Sequence, residues 1–426
     1  MIRSSVLLGR LVHKTSKILK RSGSTWPGHI ALKINPKLIR TIIANNPDLK
    51  IILVAGTNGK TTTTKAISHA LATHDKVLTN SSGANLLNGL ASTLVTNSDL
   101  SGKLNQRILI FETDENSLPT ILKEIPTPTA IILLNLFRDQ LDRYGEVNTT
   151  ADKWLKAIKH LTDRTLIVAN ADDPLIAYIG SKAKKSIFFG VPAKYKNERA
   201  LSHAVDSTTC PKCSSPLDYI SISYSHLGNY ICPNCSYTNP KSESLDIETS
   251  LLGTYNQYNL NAAGSILKHV FSYKDKEILA AFSELMPAFG RQEEIIISEK
   301  KVMYLLSKNP TGFNESLKVA IDNRSNTLLI LLNDRIPDGR DISWIWDVDF
   351  EMLKKSKSKI FISGDRCYDM SNRLIFADVT HTVIEDIGNA VKSSLSSTSE
   401  NERLTILPTY SAMLEVRKII SGRSIL

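Results

Sequence analysis

The sequence contains no uninterrupted apolar run of membrane-spanning length, so no bilayer-crossing helix is expected. No secretory leader is expected either. The basic stretch from Met1 to Lys20 has neither the unbroken apolar core nor the small-residue cleavage site that one needs. In that stretch Val6, Leu7, Leu8, Leu11, Val12, Ile18 and Leu19 are interleaved with Arg3, Arg10, Lys14, Lys17 and Lys20. The pattern suits an amphipathic helix packed on the fold, with a helix lying on a membrane surface as the alternative. Acidic residues are the minority, 42 against 52 Lys and Arg, giving a formal net charge of +10. That balance favours an acidic partner, for which nucleic acid, an anionic bilayer surface and a diphosphate-bearing substrate all qualify. Cysteine is scarce, five residues in 426, and no plausible cysteine–histidine nucleophile is present. Cys367, in Ser363-Gly364-Asp365-Arg366-Cys367-Tyr368, lacks the flanking glycines of a nucleophile elbow. A partly buried, inert thiol is the expectation there.

What is present begins with Ile51-Ile52-Leu53-Val54-Ala55-Gly56-Thr57-Asn58-Gly59-Lys60-Thr61-Thr62. Aliphatic, β-favouring residues run into a glycine turn, and Ala66, Ile67, Ala70 and Leu71 then recur at helical spacing. This strand–loop–helix context is what a phosphate-binding loop requires. Gly56 and Gly59 let the backbone approach a polyphosphate, and the N–H groups opening the helix suit an anion. Lys60 would reach the β- and γ-phosphates of ATP, and the Thr61 hydroxyl would ligate Mg²⁺. The competing interpretation is an ordinary glycine turn capped by threonine.

From about residue 46, apolar strands alternate with helices: 51–54, 76–79, 108–111, 131–134, 166–169 and 187–190. Such alternation indicates a doubly wound, mainly parallel α/β sheet with its ligand at the carboxyl ends of the strands. Thr57, Asn58, Glu112, Asp114, Asn135, Asn170 and Asp172 end those strands and would face one crevice. Residues 1–45 are expected as two short helices around Trp26-Pro27-Gly28, and 46–295 as the central domain. Within 296–426 a smaller α/β unit is expected, with strands at 302–306, 328–332, 359–363 and 374–377 and a loop at Ser394–Glu400.

Four cysteines form Cys210-Pro-Lys-Cys213 and Cys232-Pro-Asn-Cys235, the spacing of a zinc ribbon inserted at 200–246. Disulfides are the competing pairing, but nothing else suggests secretion. Four protein ligands leave no open coordination position, so the Zn²⁺ would be structural. Tyr219, Tyr224 and Tyr230 lie between the pairs with few basic residues around them, so nucleic acid is not the expected partner.

In order and spacing these motifs resemble the Mur ligase superfamily of ATP-dependent peptide ligases. Gly56–Thr62 matches its nucleotide loop, Glu112 its Mg²⁺-holding carboxylate, and Asn135-Leu-Phe-Arg138-Asp139-Gln140-Leu-Asp142-Arg143-Tyr144-Gly145 its N-x-x-x-D-H-L-D-R-H-G stretch. Asn256 and Asn259 in Gly253-Thr-Tyr-Asn-Gln-Tyr-Asn are similar to its asparagine motif near the adenine, and Gly290-Arg291 to its nucleotide-contacting arginine. The sequence departs from the pattern in three ways. The family's histidine is Gln140, which bears on a second metal; only 55 residues precede Gly56; and a zinc ribbon is inserted.

These departures, with the stretch from Asn333 to Glu351, resemble the amidating branch of the superfamily. The resemblance implies a fold with a Mur ligase-like central P-loop domain, an inserted zinc ribbon and a smaller C-terminal α/β domain. It implies conversion of the α-carboxylate of D-glutamate in lipid II to an amide through an acyl phosphate, using ATP and Mg²⁺, with Lys60 and Glu112 catalytic. Ammonia, mostly protonated at neutral pH, must come from glutamine, and this chain has no nucleophile for that step. A GatD-like glutaminase subunit is the implied partner in a heterodimer, with Asp341 as the orienting acid supplied in trans and Asp347 and Asp349 as alternatives. The bland interpretation is that these carboxylates cap helices beside a tryptophan-rich surface. A cytoplasmic chain with transient contact at the anionic inner membrane face is expected. Two rivals stand beside this function: an amino-acid-adding ligase, and a zinc-ribbon nucleic-acid binder with a regulatory ATP site.

Overall fold

The computed structural model describes residues 2–18, 25–80, 83–139, 146–202, 205–287 and 291–421. Six strands, β1 (Lys50–Ala55), β2 (Val77–Thr79), β3 (Ile108–Thr113), β4 (Ala130–Leu133), β5 (Leu166–Asn170) and β6 (Ser186–Phe189), form one sheet in the order β2-β3-β1-β4-β5-β6. Every pairing in it is parallel. Both faces are covered, as the near-continuous apolar strands demand. Ile51, Leu53, Leu109 and Phe111 point into a core shared with the helices Leu87–Asn97, Leu118–Glu124 and Val147–Lys159. Ile52, Val54, Ile108 and Ile110 point the other way, onto the helices Lys60–Leu71 and Thr254–Phe271. The reversal of strand order at β1 places its carboxyl end at a crevice, which is where the glycine loop emerges.

The ribbon is an antiparallel hairpin, β7 (Asp218–Tyr224) and β8 (Leu227–Ile231). A second sheet follows, built from β9 (Arg291–Ile297), β10 (Lys300–Leu305), β11 (Thr327–Leu331), β12 (Lys359–Ser363), β13 (Thr382–Val383) and β14 (Arg403–Pro408). Its order is β13-β12-β11-β14-β10-β9, parallel except for the β9–β10 hairpin.

Several elements differ from expectation. Three helices precede β1 rather than two: Ile2–Ile18, Trp26–Ile34 and Leu38–Ala44. Leu374–Ala377 is not a strand but closes the helix Cys367–Phe376, because Cys367, Met370 and Leu374 recur at helical spacing and are all buried. Ser394–Ser396 belong to the helix Ile387–Ser396, and Ser394 is buried, so that stretch is only partly a loop. The edge strand β9 and the central β14 carried no strong apolar alternation to announce them.

Candidate active site

The loop after β1 is held from outside by Asn135, which follows β4. Its carbonyl accepts the Thr57 N–H at 3.1 Å, its Oδ1 accepts the Asn58 N–H at 2.9 Å, and its Nδ2 donates to the Asn58 carbonyl at 3.1 Å. The Thr57 hydroxyl accepts the Phe137 N–H at 3.0 Å. Gly59 opens the helix Lys60–Leu71 at φ +91°, and a Cβ there would lie 1.9 Å from Asn259 Oδ1. Only glycine fits both that angle and that approach.

Lys60 is buried, and its ammonium donates to the Gly56 carbonyl and, at 3.1 Å, to the Thr57 carbonyl. It lies 3.5 Å from Glu115 Oε1. Thr61 Oγ1 donates to Glu112 Oε2 at 2.9 Å, so two residues far apart in sequence converge at the helix start. Burial drives the Glu112 carboxyl above its usual value, against the pull of Arg291, Thr61 and Lys60. Asn80 fixes the strand end by accepting the Glu112 N–H at 2.9 Å.

A cleft runs from this loop toward the second sheet. Asn58, Gly59, Asn259 and Arg291 line it together with Tyr224, Leu251, Tyr255 and Leu305. Asn256 and Asn259 bond to each other at 3.1 Å on the helix Thr254–Phe271. The second sheet reaches the loop through Asn309, which caps the helix Pro310–Asp322 and whose Nδ2 donates to Asn58 Oδ1 at 3.0 Å.

Three charged residues beyond the expected set, Lys308, Asp139 and Glu115, lie near Lys60. Lys308 pairs with Asp139, and burial drives the Asp139 carboxyl upward against that pairing. Asp139 Oδ1 and Glu115 Oε1 are buried without a hydrogen-bond partner among the described residues. Lys60 and Lys308 lie against these two carboxylates, so the oxygen pair that fits a hard cation such as Mg²⁺ is the Thr61 hydroxyl with the Glu112 carboxylate. Asp139 stood inside the motif stretch quoted above; nothing in the sequence marked Lys308. Gln140, Asp142 and Gly290 lie outside the described residues. Asn170 and Asp172 do not face the cleft as expected: Asn170 Nδ2 donates to the Leu134 carbonyl at 3.0 Å, and Asp172 takes Lys196 at 2.7 Å and the Tyr258 hydroxyl at 2.8 Å.

Asp341 is partly exposed, and its Oδ1 accepts the Ser343 N–H at 2.8 Å. It borders a small cavity whose other walls include Asp139, Lys308 and Trp344. Asp347 is held by Arg138 at 2.7 Å, and Arg138 also binds Asp206 at 2.9 Å. Asp349 exchanges two hydrogen bonds with Asn314, at 3.1 and 2.8 Å.

The sulfur atoms of Cys210, Cys213, Cys232 and Cys235 all lie within 4.8 Å of one another, and none forms a disulfide. The Cys210–Cys235 and Cys213–Cys232 separations are 3.6 and 3.5 Å, near the ~3.8 Å edge of a tetrahedron with Zn–S bonds of about 2.3 Å. Ser214 and Ser236 take left-handed φ of 62° and 58° just after each pair, closing two matching knuckles. The donor set fits Zn²⁺. Tyr224 and Tyr230 are buried, so they cannot serve as an exposed stacking surface for bases.

The family model of the Mur ligase middle domain matches residues 54–267, and that of the MurT ligase C-terminal matches residues 306–413. The chain is 32% identical over 446 residues, 99% of its length and 97% of the relative's, to the lipid II isoglutaminyl synthase (glutamine-hydrolyzing) subunit MurT of Streptococcus pneumoniae. It is 30% identical over 431 residues, 96% and 95% of the two lengths, to the subunit of the same name from Staphylococcus aureus. Among solved structures, a pseudomurein peptide ligase type C from Methanothermus fervidus shares the fold, with a TM-score of 0.66 and 18% identity over 88% of this chain and 79% of that one.

Proposed function

Because the chain belongs to the MurT family of lipid II isoglutaminyl synthase subunits, on the Mur ligase fold, we propose that it amidates the D-glutamate α-carboxylate of the lipid II stem peptide with ammonia from a GatD-like glutaminase. The observation that carries this reading is the convergence of Lys60, Thr61 and Arg291 on the Glu112 carboxylate at the start of the helix after the loop. A carboxylate is a poor electrophile, so one of its oxygens first attacks the γ-phosphorus of ATP, releasing ADP and leaving an acyl phosphate. The lone pair of ammonia then attacks the acyl carbon, the C–O bond to phosphate breaks, and a proton departs with the phosphate. Lys60 and Arg291 supply fixed positive charge where phosphoryl charge develops. Thr61 and Glu112 would hold Mg²⁺, which when bound neutralises further phosphate charge. Asn135 fixes the loop by binding the Thr57 and Asn58 backbone, and Asn256 and Asn259 stand along the path toward the purine. Residues 46–295 and 296–426 are assigned as the two working units, with 200–246 as the zinc insertion.

Asp341 is the acid that orients the partner's histidine. Its carboxylate is partly exposed, whereas Asp347 is taken by Arg138 and Asp349 by Asn314. The cavity from Asp341 to Asp139 and Lys308 gives ammonia a short way from the partner's face to the crevice. Because lipid II is carried on a lipid, the chain works against a bilayer. Its first helix, with Leu7 and Leu11 more than half exposed and no acidic residue, faces an anionic surface. Asp341→Asn preserves shape but favours the wrong imidazole tautomer. In the reconstituted complex glutamine hydrolysis should fall by roughly 10³-fold or more, while assembly and ATP binding persist and ammonium at high pH restores amidation. Normal hydrolysis by Asp341→Asn with a loss in Asp347→Asn or Asp349→Asn would move the role to that residue. No loss in any of the three would remove the acid from this loop.

A further inference from the structure

The four-cysteine ribbon is far from a detached appendage. Its two strands run from the metal knuckles to a tip, Tyr224-Ser225-His226-Leu227, in which all four residues are buried. Seven residues of β7 at about 3.4 Å each carry that tip roughly 20 Å from the cysteines. There it is wedged under the nucleotide loop. The Tyr224 ring lies 6.0 Å from Phe137 and 5.7 Å from Tyr258, and His226 lies 4.8 Å from Phe137 and 3.4 Å from Asp173. Phe137 in turn exchanges two hydrogen bonds with the Thr57 hydroxyl of the loop, at 3.0 and 3.2 Å. Tyr224 itself lines the cleft, together with Gly59, Asn256, Asn259 and Arg291. A second tie runs from the edge of β7. Glu198 exchanges backbone hydrogen bonds with Ile222, and its carboxylate pairs with Lys318 at 2.8 Å. Lys318 also pairs at 3.1 Å with Glu315, another residue lining the cleft.

We propose that the ribbon is the positioning element of the nucleotide cleft, with Tyr224 as the wall at the purine end and the zinc at its root holding that wall in place. The inference rests on the reading of the cleft as an ATP site. A lone two-stranded hairpin is marginal in water, so the metal at the base decides whether the strands stay paired along their length. The tip then arrives in one place, with the Tyr224 ring backing the cleft wall and a fixed contact behind Thr57. The apolar wall and the phosphate loop are thereby set by a single hairpin. Metal binding and nucleotide binding become linked, and linkage is reciprocal.

The test uses the full-length, zinc-loaded chain, with ATP affinity measured by calorimetry and zinc affinity by competition with a chelator. Tyr224→Ala should keep one zinc per chain yet weaken ATP binding by about tenfold, the scale of one lost aromatic contact. Tyr224→Phe should restore wild-type affinity. Saturating ATP should raise zinc affinity in the wild type by the factor by which zinc raises ATP affinity, and should do so much less in Tyr224→Ala. Ile220→Thr, at an exposed position of the same strand, should change neither. Unaltered ATP affinity in Tyr224→Ala, or a wild-type zinc affinity indifferent to ATP, overturns the proposal. So does an equal loss in Ile220→Thr, which would reduce the effect to ribbon stability. If the zinc-loaded wild type binds no ATP at all, it is the nucleotide reading itself that fails, and the inference falls with it.

Discussion

Gly59→Ala puts a single methyl group where the fold has no room for one. Gly59 holds φ +91°, and the added carbon would meet Asn259 Oδ1 at 1.9 Å. The left-handed backbone alone costs an L-residue about 1–2 kcal/mol. Relief of the clash requires Asn259 to turn away, which breaks its 3.1 Å bond to Asn256 at a net cost of about 1 kcal/mol. The sum, roughly 2–3 kcal/mol, should lower the thermal midpoint by about 5–10 °C for a unit of this size. ATP binding should weaken as well, because Gly59 and Asn259 both line the cleft. The assay is a double-mutant cycle with Asn259→Ala, following thermal unfolding and nucleotide affinity together. Removing the Asn259 side chain leaves the backbone penalty but abolishes the clash. The pair should therefore be less destabilising than the sum of the singles by about 1 kcal/mol. Additivity within about 0.5 kcal/mol would refute the argument that close approach to Asn259 is what demands glycine.

Two further outcomes are expected. Glu315 is buried with its carboxyl driven above the usual 4.5 by burial, only partly offset by Lys318. Its folded-state value exceeds the unfolded one, so below 4.5 both states are protonated, and stability is lost as pH rises from there through the raised value. Glu315→Gln removes that loss and leaves Lys318 paired with Glu198. The difference in thermal midpoint from wild type should be near zero at acid pH and turn positive toward neutrality; a difference that does not change with pH would contradict it. In the first helix, Leu7→Asp with Leu11→Asp should weaken sedimentation with anionic vesicles while leaving the thermal midpoint unchanged, since both side chains are more than half exposed. Unaltered vesicle binding would take the membrane role away from this helix.

The first sheet was legible because its strands are buried on both faces and read as continuous apolar runs. Ile51–Val54 and Ile108–Phe111 contain no polar residue, and each ends in the polar residue that reaches the site. The cysteine pairs were legible because a metal needs fixed ligand spacing. The second sheet was harder. Leu374 and Met370 form a short apolar cluster whose period is ambiguous until its neighbours are known, and β14 mixes Thr405 with Leu404, Ile406 and Leu407. Asn135 was expected at the crevice and lines the cleft, and its side-chain amide also holds the Asn58 backbone, a role no local pattern announces. Lys308 gave no local signal at all, because its meaning comes only from pairing with Asp139, 169 residues away.

That pairing also explains why the surroundings of the phosphate loop take residues from both sheets. Lys60 and Glu115 come from the first unit, Lys308 and Asn309 from the second, and Asp139 sits between them. A buried carboxylate without a cation is costly, and a buried ammonium without a carboxylate equally so. Each unit therefore lacks, on its own, a counter-charge that the other carries. Arg138, next to Asp139, extends the seam to Asp347 in the loop that bears Asp341. Three consecutive residues of one segment, Phe137, Arg138 and Asp139, thus touch the ribbon tip, the Asp341 loop and Lys308 in turn. A change at any one of those contacts is felt next to Thr57, because Phe137 is hydrogen-bonded to it, and the phosphate loop is where all three would register.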